Sequence, residues 1–553
     1  MPEGVEVDVQ VPHVGQRQHR HQRVGVAGRQ HDRRDDRHQH QHDGHRSAHH
    51  RRPGGGPVVV VADGVRHGPR RYPPRLGAVA PVPPGTRHDG HMDRLSRPAH
   101  TWGLVVVLVC ALLASAGCAQ TLVGRAVPAE DPGVTVPTPV PLSSGDLDEI
   151  SMQIAEQLQA YWRSEFPRAF GRPWQDLTIV RPAHPDDPAE QLPPCVDSLD
   201  EVDNQAFYCP SADAVVWDAD GLIPQLDRDY GAPGVVVVLA HEIGHSIQNR
   251  LGLSTAARAD PQRYPTILLE AQADCYAGVA LASFAARPVA GLRIGPQERD
   301  AAVLAMIGFR DPLGVSPGDR RAHGNAFDRV SAFQDGYLGT ATTCAGMTLD
   351  NRTFTQRQFS SADDAARRGD LPLAQLVVAL DADAREWFGS LAPTYAPGWQ
   401  PPQLEARPTA ACPTDAVRAQ GPASFCPADG SIAIDANSLA PLHRSIGDYS
   451  AGLVIASRYA LALWTAHGGS PTGIEAGRAA LCLSGAYTAR LVDSTTSFSL
   501  SPGDLDEAVQ TLVADTWAGR DAAGNADPAA HGFDRVAVFR LGVLGGPAAC
   551  FGS

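Results

Sequence analysis

The stretch AHEIGHSIQNRLG, residues 240–252, sets two histidines four apart with a glutamate directly after the first. Residues four apart share one face of a helix, so His241 and His245 can turn both imidazoles towards a single ion. Zinc takes such nitrogens at about 2.0–2.1 Å and, in a catalytic site, needs a third protein ligand and an open position for water. Glu242 is on the adjacent flank, where it can accept a proton from that water. HExxH also arises by chance, so the rest of the chain must supply the third ligand. The run TILLEAQADCYAGVALASF offers Glu270, 25 residues beyond His245, with Asp274 one helical turn further on. Glu270 would complete the ligand set for one zinc ion per chain. Asp274 could accept the free ring N–H of a ligand histidine, fixing its tautomer and raising its basicity.

These side chains need rigid elements behind them. GVVVVLAHEIGHSIQNRLG begins as a strand would, but its length and polar spacing favour a buried helix. A gap rich in Pro and Arg (STAARADPQRYP) leads to the helix that holds Glu270 and Asp274. Upstream, DLDEISMQIAEQLQAYW places Ile150, Ile154, Leu158 and Trp162 four apart, an amphipathic helix. AVVWD and SIAID read as short strands. The expected fold class is α+β, mostly helical with a small sheet.

HExxH followed by ExxxD resembles the signature of gluzincin metallopeptidases, the thermolysin-like class. The fuller strings AHEIGHSIQ and LEAQADCYAG, with HGNAFDRVSAF at 323–333, resemble the bacterial neutral zinc metallopeptidase family and its exported actinobacterial lipoprotein members. The resemblance covers about 195–344. It implies a zincin-like domain in which His241, His245 and Glu270 hold zinc, Glu242 is the catalytic base, and peptide bonds are hydrolysed. It leaves the oxyanion donor open between His323, Tyr276 and some other group.

The cysteines divide the chain in two. Cys195 and Cys209 are 14 apart, as are Cys412 and Cys426, while Cys275–Cys344 and Cys482–Cys550 are separated by 69 and 68. Trp162 and Trp174 are 12 apart, as are Trp387 and Trp399, and FDRVSAF (327–333) returns as FDRVAVF (533–539). The expectation is an internal duplication, a first copy at 144–347 and a second at 360–553. Each copy's four cysteines allow three pairings; Cys195–Cys209, Cys275–Cys344, Cys412–Cys426 and Cys482–Cys550 are the pairs expected here.

Set side by side, His241 meets Ser457, Glu242 meets Arg458, His245 meets Leu461, Glu270 meets Gly477 and Asp274 meets Leu481. The second copy thus reads as degenerate and non-catalytic, its metal pocket filled by apolar side chains where the first keeps a cleft. His323 has a counterpart in His531 and Arg329 in Arg535, which points to structural roles for all four. The sequence leaves three roles open for the second copy: packing on the first as an intramolecular pseudo-dimer, covering the cleft, or binding substrate or another envelope protein.

The first 91 residues hold 13 of the 21 histidines and suggest a misassigned start or a disordered His/Arg-rich tail. From Met92, an Arg-bearing start and the apolar run WGLVVVLVCALLASAG, ending at Cys118, match a secretory signal. ASAGC resembles a lipobox, which would lipidate Cys118; ordinary cleavage near Ala116 is the alternative and would leave a secreted protein. Residues 119–143 then form a Pro-rich linker. Without residues 1–118, the chain keeps 30 arginines against 51 acidic residues, a balance of −21, which argues against nucleic acid as a partner. The expected protein is exported and anchored by lipid to the outer face of the cytoplasmic membrane or the envelope, acting on peptide or protein substrates. The rival is a non-catalytic envelope lipoprotein, a scaffold or binding protein with a vestigial zinc site.

Overall fold

The computed structural model describes Val7–Asp8 and residues 147–288, 292–412, 420–492 and 498–552. The signal run, Cys118 and the Pro-rich linker lie outside these residues. Among the described residues, no helix is long and apolar enough to cross a membrane.

The first half opens with α1 (Leu147–Phe170), whose Ile154, Leu158 and Trp162 face inward as their spacing predicts. Strands β1 (Val7–Asp8), β2 (Ile179–Ala183), β3 (Ala206–Cys209) and β4 (Ala214–Asp218) form a sheet ordered β1-β3-β4-β2. β3 and β4 run antiparallel with Ala206 opposite Trp217, while β2 runs parallel to β4 with Ile179 opposite Ala214. Helices α2 (Leu222–Tyr230), α3 (Ala232–Leu251), α4 (Leu253–Ala259), α5 (Thr266–Ala286), α6 (Pro296–Gly308), α7 (Ala326–Leu338) and α8 (Ala341–Ala345) follow.

The second half follows a similar order, with one added short helix and, among the described residues, without separate equivalents of α4 and α8. It has α9 (Ala362–Ala366), α10 (Leu373–Tyr395), β5 (Leu404–Ala406), β6 (Ala423–Cys426), β7 (Ser431–Ile434), α11 (Ala436–Ser445), α12 (Asp448–Ala466), α13 (Ile474–Val492), α14 (Asp504–Ala514) and α15 (Gly532–Phe551). Its pairings recur as well: β6 is antiparallel to β7 and β5 parallel to it.

α3 is apolar on nearly every side, so it is buried throughout rather than amphipathic. It stops at Gly252, whose φ of 88° gives the left-handed cap that ends a helix without a Cβ clash. α5 packs on α3 and, on its other side, touches α7 backbone to backbone. A Cβ on Gly278 would stand 2.0 Å from the Phe333 carbonyl oxygen, and one on Gly336 would stand 1.8 Å from that of Cys275. The second half repeats the crossing with Gly485 against Phe539 (2.0 Å) and Gly542 against Cys482 (1.8 Å). Disulfides join Cys195 to Cys209, Cys275 to Cys344, Cys412 to Cys426 and Cys482 to Cys550. Cys482–Cys550 joins the two crossing helices of the second half directly, whereas Cys275–Cys344 ties α5 to α8, the helix that follows α7.

The halves share one apolar core, in which buried residues of α3, α5 and α7 are continuous with those of α12, α13 and α15. They meet through reciprocal contacts. Phe327 packs edge-on against Phe539 (6.4 Å) and Phe333 against Phe533 (6.5 Å). Asp300 on α6 accepts the Gly532 and Phe533 N–H groups (2.8 and 2.7 Å), while Asp506 on α14 accepts that of Phe327 (3.3 Å). Residue and counterpart exchange partners, the signature of a pseudo-twofold axis.

Candidate metal centre

α3 and α5 bring His241, His245 and Glu270 together, each no more than 3% exposed. His241 Nε2 lies 3.1 Å from His245 Nε2 and 3.2 Å from Glu270 Oε2, and His245 Nε2 lies 3.6 Å from Glu270 Oε1. Four tetrahedral ligands at zinc distances stand about 3.3 Å apart, so the triangle has the size of a zinc site.

The tautomers show why the three atoms need a cation. His241 Nδ1–H donates to Asp274 Oδ1 (2.7 Å). His245 Nδ1–H donates to Gln248 Oε1 (2.9 Å), and Gln248 is oriented because its Nε2 donates to the Leu269 carbonyl (2.6 Å). With both Nδ1 atoms committed as donors, both Nε2 lone pairs converge on the Glu270 carboxylate. Glu270 Oε1 is buried and accepts no hydrogen bond among the described residues. Two imidazole lone pairs and an ionised carboxylate form a ligand set for zinc, which takes N and O donors of this kind.

The electrostatics agree. Burial disfavours the imidazolium of His241, but Asp274 and Glu270 outweigh it and raise the group to about 10. Burial brings His245 down to about 4. A single proton thus suffices for the pair when no metal competes. Burial opposes charge on Glu270 as well, yet His245, His323 and His241 hold it below the usual carboxylate range.

Behind His241 stands a second layer. Arg329 on α7 grips Asp274 with Nε (3.0 Å to Oδ2) and Nη2 (2.8 Å to Oδ1), while its Nη1 donates to the Phe309 carbonyl (2.6 Å). All three residues are at most 2% exposed. Arg329 was expected to be purely structural; its link to Asp274 also makes it a positioning group for His241. Its counterpart Arg535 donates, among the described residues, to the carbonyls of Leu512, Ala530 and Val513. Leu481 replaces the carboxylate there, so the repeated FDRV motif signalled the carbonyl contacts and concealed the carboxylate one.

His323, also expected to be structural, lies near enough to Glu270 for the two to shift each other's protonation. Its Nδ1 pairs with Asp311 Oδ1 at 3.3 Å. Tyr276 is a core aromatic, edge-on to Trp162 at 5.8 Å, and its hydroxyl has no hydrogen-bond partner among the described residues. Glu242 is fully buried beside the ligands. The ligands lie deep between α3 and α5, little exposed to solvent. Gln248, and Gln272, whose Oε1 accepts from Gln248 Nε2 (3.2 Å), escaped the sequence reading. The signal was available, since Gln248 follows His245 by one turn and Gln272 lies between Glu270 and Asp274.

The second half closes the equivalent space differently from expectation. Leu461, Leu463 and Leu481 are buried, but Arg458 is fully buried too. It donates to Gln420 Oε1 (3.0 Å) and to the Trp517 (2.9 Å) and Ala518 (3.3 Å) carbonyls. Those carbonyls belong to a short 3₁₀ turn, Trp517–Gly519, packed so closely on α13 that a Cβ on Gly477 would stand 2.3 Å from the Gly519 oxygen. The filling is a guanidinium over a carbonyl turn, not leucine alone. The Ala518 carbonyl takes its donor from Arg458, while that of Trp517 accepts both the guanidinium and the Arg520 N–H (3.2 Å).

Residues 200–347 match the family described as "Putative neutral zinc metallopeptidase". An uncharacterized Mycobacterium tuberculosis protein, Rv2575, is 38% identical over 78 residues, 13% of this chain and 27% of the relative. The Mycobacterium bovis protein Mb2605 gives the same figures. The uncharacterized Escherichia coli protein YpfJ is 32% identical over 146 residues, 24% of this chain and 50% of the relative. The chain spans half or less of the length of these curated relatives. No solved structure matches.

Proposed function

We propose that this chain is a zinc-dependent peptidase, exported and held at the envelope by a lipid on Cys118, with its chemistry confined to the first half. The observation that carries the reading is the triangle of His241, His245 and Glu270, with a buried glutamate, Glu242, next to it in the helix. Zinc supplies Lewis acidity, polarising a carbonyl and lowering the pKa of water to about 7. Asp274 and Arg329 hold His241 in one tautomer, and Gln248 holds His245. Glu242 accepts the proton of the attacking water and returns it to the leaving amine, general base and then general acid. A structural site has no use for such a base.

The closure of the site favours a second reading, a non-catalytic envelope protein with a structural zinc. One variant separates them. Glu242→Gln should keep one zinc per chain by elemental analysis while hydrolysis of a generic protein substrate falls about 10²–10⁴-fold. Near-normal hydrolysis by Glu242→Gln would remove its assigned role. A wild-type chain with bound zinc and no hydrolysis would favour the structural reading. Two tightly held zinc ions would contradict the confinement to the first half.

A further inference from the structure

Three Gly-Asp steps far apart in sequence, 369–370, 447–448 and 503–504, converge in the second half. Asp370 precedes α10, Asp448 opens α12, and Asp504 and Glu507 are in the first turn of α14. One carboxylate oxygen from each of Asp370, Asp448 and Glu507 lies within 4.8 Å of the other two. Backbone N–H groups fix the set: Leu371 donates to Asp448 Oδ2 (2.6 Å), Asp448 to Asp370 Oδ1 (3.0 Å), and Tyr449 to Glu507 Oε2 (2.8 Å). Gly447, at φ 147°, makes room for the last of these, since a Cβ there would stand 1.9 Å from Glu507 Oε1.

Acids at helix N-termini have an ordinary use, complementing the positive end of the dipole. That use leaves one oxygen unexplained. Asp448 is 2% exposed, and its Oδ1 has no hydrogen-bond partner among the described residues although its carboxylate is part of the cluster. No arginine or histidine among the described residues forms an ion pair with the four acids, and nearby His443 gives its Nε2–H to the Leu371 carbonyl (2.7 Å). Burial, then repulsion from Asp370, raises Asp448 to about 6; burial and mutual repulsion push Asp504 and Glu507 well above their usual range. Among the described residues, the first half has no equivalent acidic triad. Counting from the helix starts and from the Asp300–Asp506 equivalence, Ala232 stands for Asp448 and Ala301 for Glu507.

We propose that Asp370, Asp448 and Glu507, with Asp504 beside them, bind one calcium ion that ties together the starts of α10, α12 and α14. The donors are all hard oxygens, which select calcium or magnesium over zinc. Calcium accepts irregular sets of six to eight oxygens, with water completing the shell. Magnesium demands near-octahedral geometry that carboxylates pinned by three backbone N–H groups do not offer. The site is independent of the zinc centre and of the peptidase reading.

The test uses the full chain loaded with one equivalent of zinc. Calcium chloride is titrated by calorimetry, and melting is followed at pH 7.5 and pH 5.0 against sodium chloride of equal ionic strength. One calcium per chain is expected. The melting temperature should rise by about 3–5 °C at pH 7.5 with calcium about 100-fold above its Kd, and by less at pH 5.0, where protons neutralise the acids. Asp448→Asn and Glu507→Gln should each abolish the response; either one, shown folded by circular dichroism, decides the matter. No heat and no shift at millimolar calcium would overturn the site, as would an unchanged response in both variants. A response to magnesium chloride and none to calcium chloride would overturn the calcium assignment.

Discussion

Asp274 divides its carboxylate between His241 on one side and Arg329 on the other, and both contacts are buried. Asp274→Asn keeps the shape but weakens the acceptor that fixes the His241 tautomer. It should therefore lower zinc affinity about 10–100-fold, measured by competition with a chromogenic chelator. Unchanged affinity would show that α3 alone orients the imidazole. Removing zinc should also make stability respond to pH. Without metal, the His241 proton, raised to about 10, contributes stability that is complete below the unfolded histidine value of about 6.5 and is lost as pH rises towards 10. Zinc binding strengthens over the same interval, because it competes with that proton. The gap in melting temperature between zinc-loaded and zinc-free protein should therefore widen from pH 7 to pH 9. A constant gap would mean that the cluster holds no such proton.

The elements bearing the site were legible because each is a long run: α1 by its apolar spacing, α3 by its length and polar spacing, and α5 as the run that follows a gap rich in Pro and Arg. α3 resembled a strand only over Val235–Val238, and its length settled the matter. The close crossing of α5 on α7 was not legible, since Gly278 and Gly336 read as ordinary small residues until their backbones touch. Nor was the role of Arg458, because a lone arginine in an apolar run does not say which carbonyls it will meet. Both hidden features can be tested. Gly278→Ala and Gly485→Ala each drive a Cβ into a carbonyl at 2.0 Å, which no rotamer relieves. Each should destabilise by at least about 1–3 kcal/mol in chemical denaturation. Arg458→Met removes the guanidinium from the Ala518 carbonyl, and from the Trp517 carbonyl and Gln420 Oε1, which keep the Arg520 and Phe425 N–H groups, for a loss of about 1–3 kcal/mol and no gain in zinc binding. Wild-type stability in either glycine variant would mean that the helices can separate freely. Wild-type stability in Arg458→Met would mean that water replaces the guanidinium.

Reciprocal contacts join the two halves through one apolar core in a way that spacing could not reveal. The repeated FDRV motif implied a shared fold, and the structure adds that the two copies of the motif face each other. Around the crossed phenylalanines, Gln334 Nε2 donates to the Phe533 carbonyl (2.9 Å), and Arg540 reaches Ser331 (2.6 Å) and Asp335. A half expressed alone would expose this apolar face and leave these polar groups without partners. The expected outcome is therefore not independent folding but an obligate pseudo-dimer held by its own core. A protease site inserted in the exposed 360–363 segment tests this without deleting anything. After cleavage, the two fragments should co-elute on size exclusion under native conditions and keep one zinc, and they should separate only in denaturant. Phe533→Asp, which sets a charge against Phe333 and Tyr337, should split the nicked pair. If the nicked wild-type halves separate and each melts cooperatively, the second half is an autonomous domain resting on the first, and the pseudo-twofold contacts contribute little to holding the first half together.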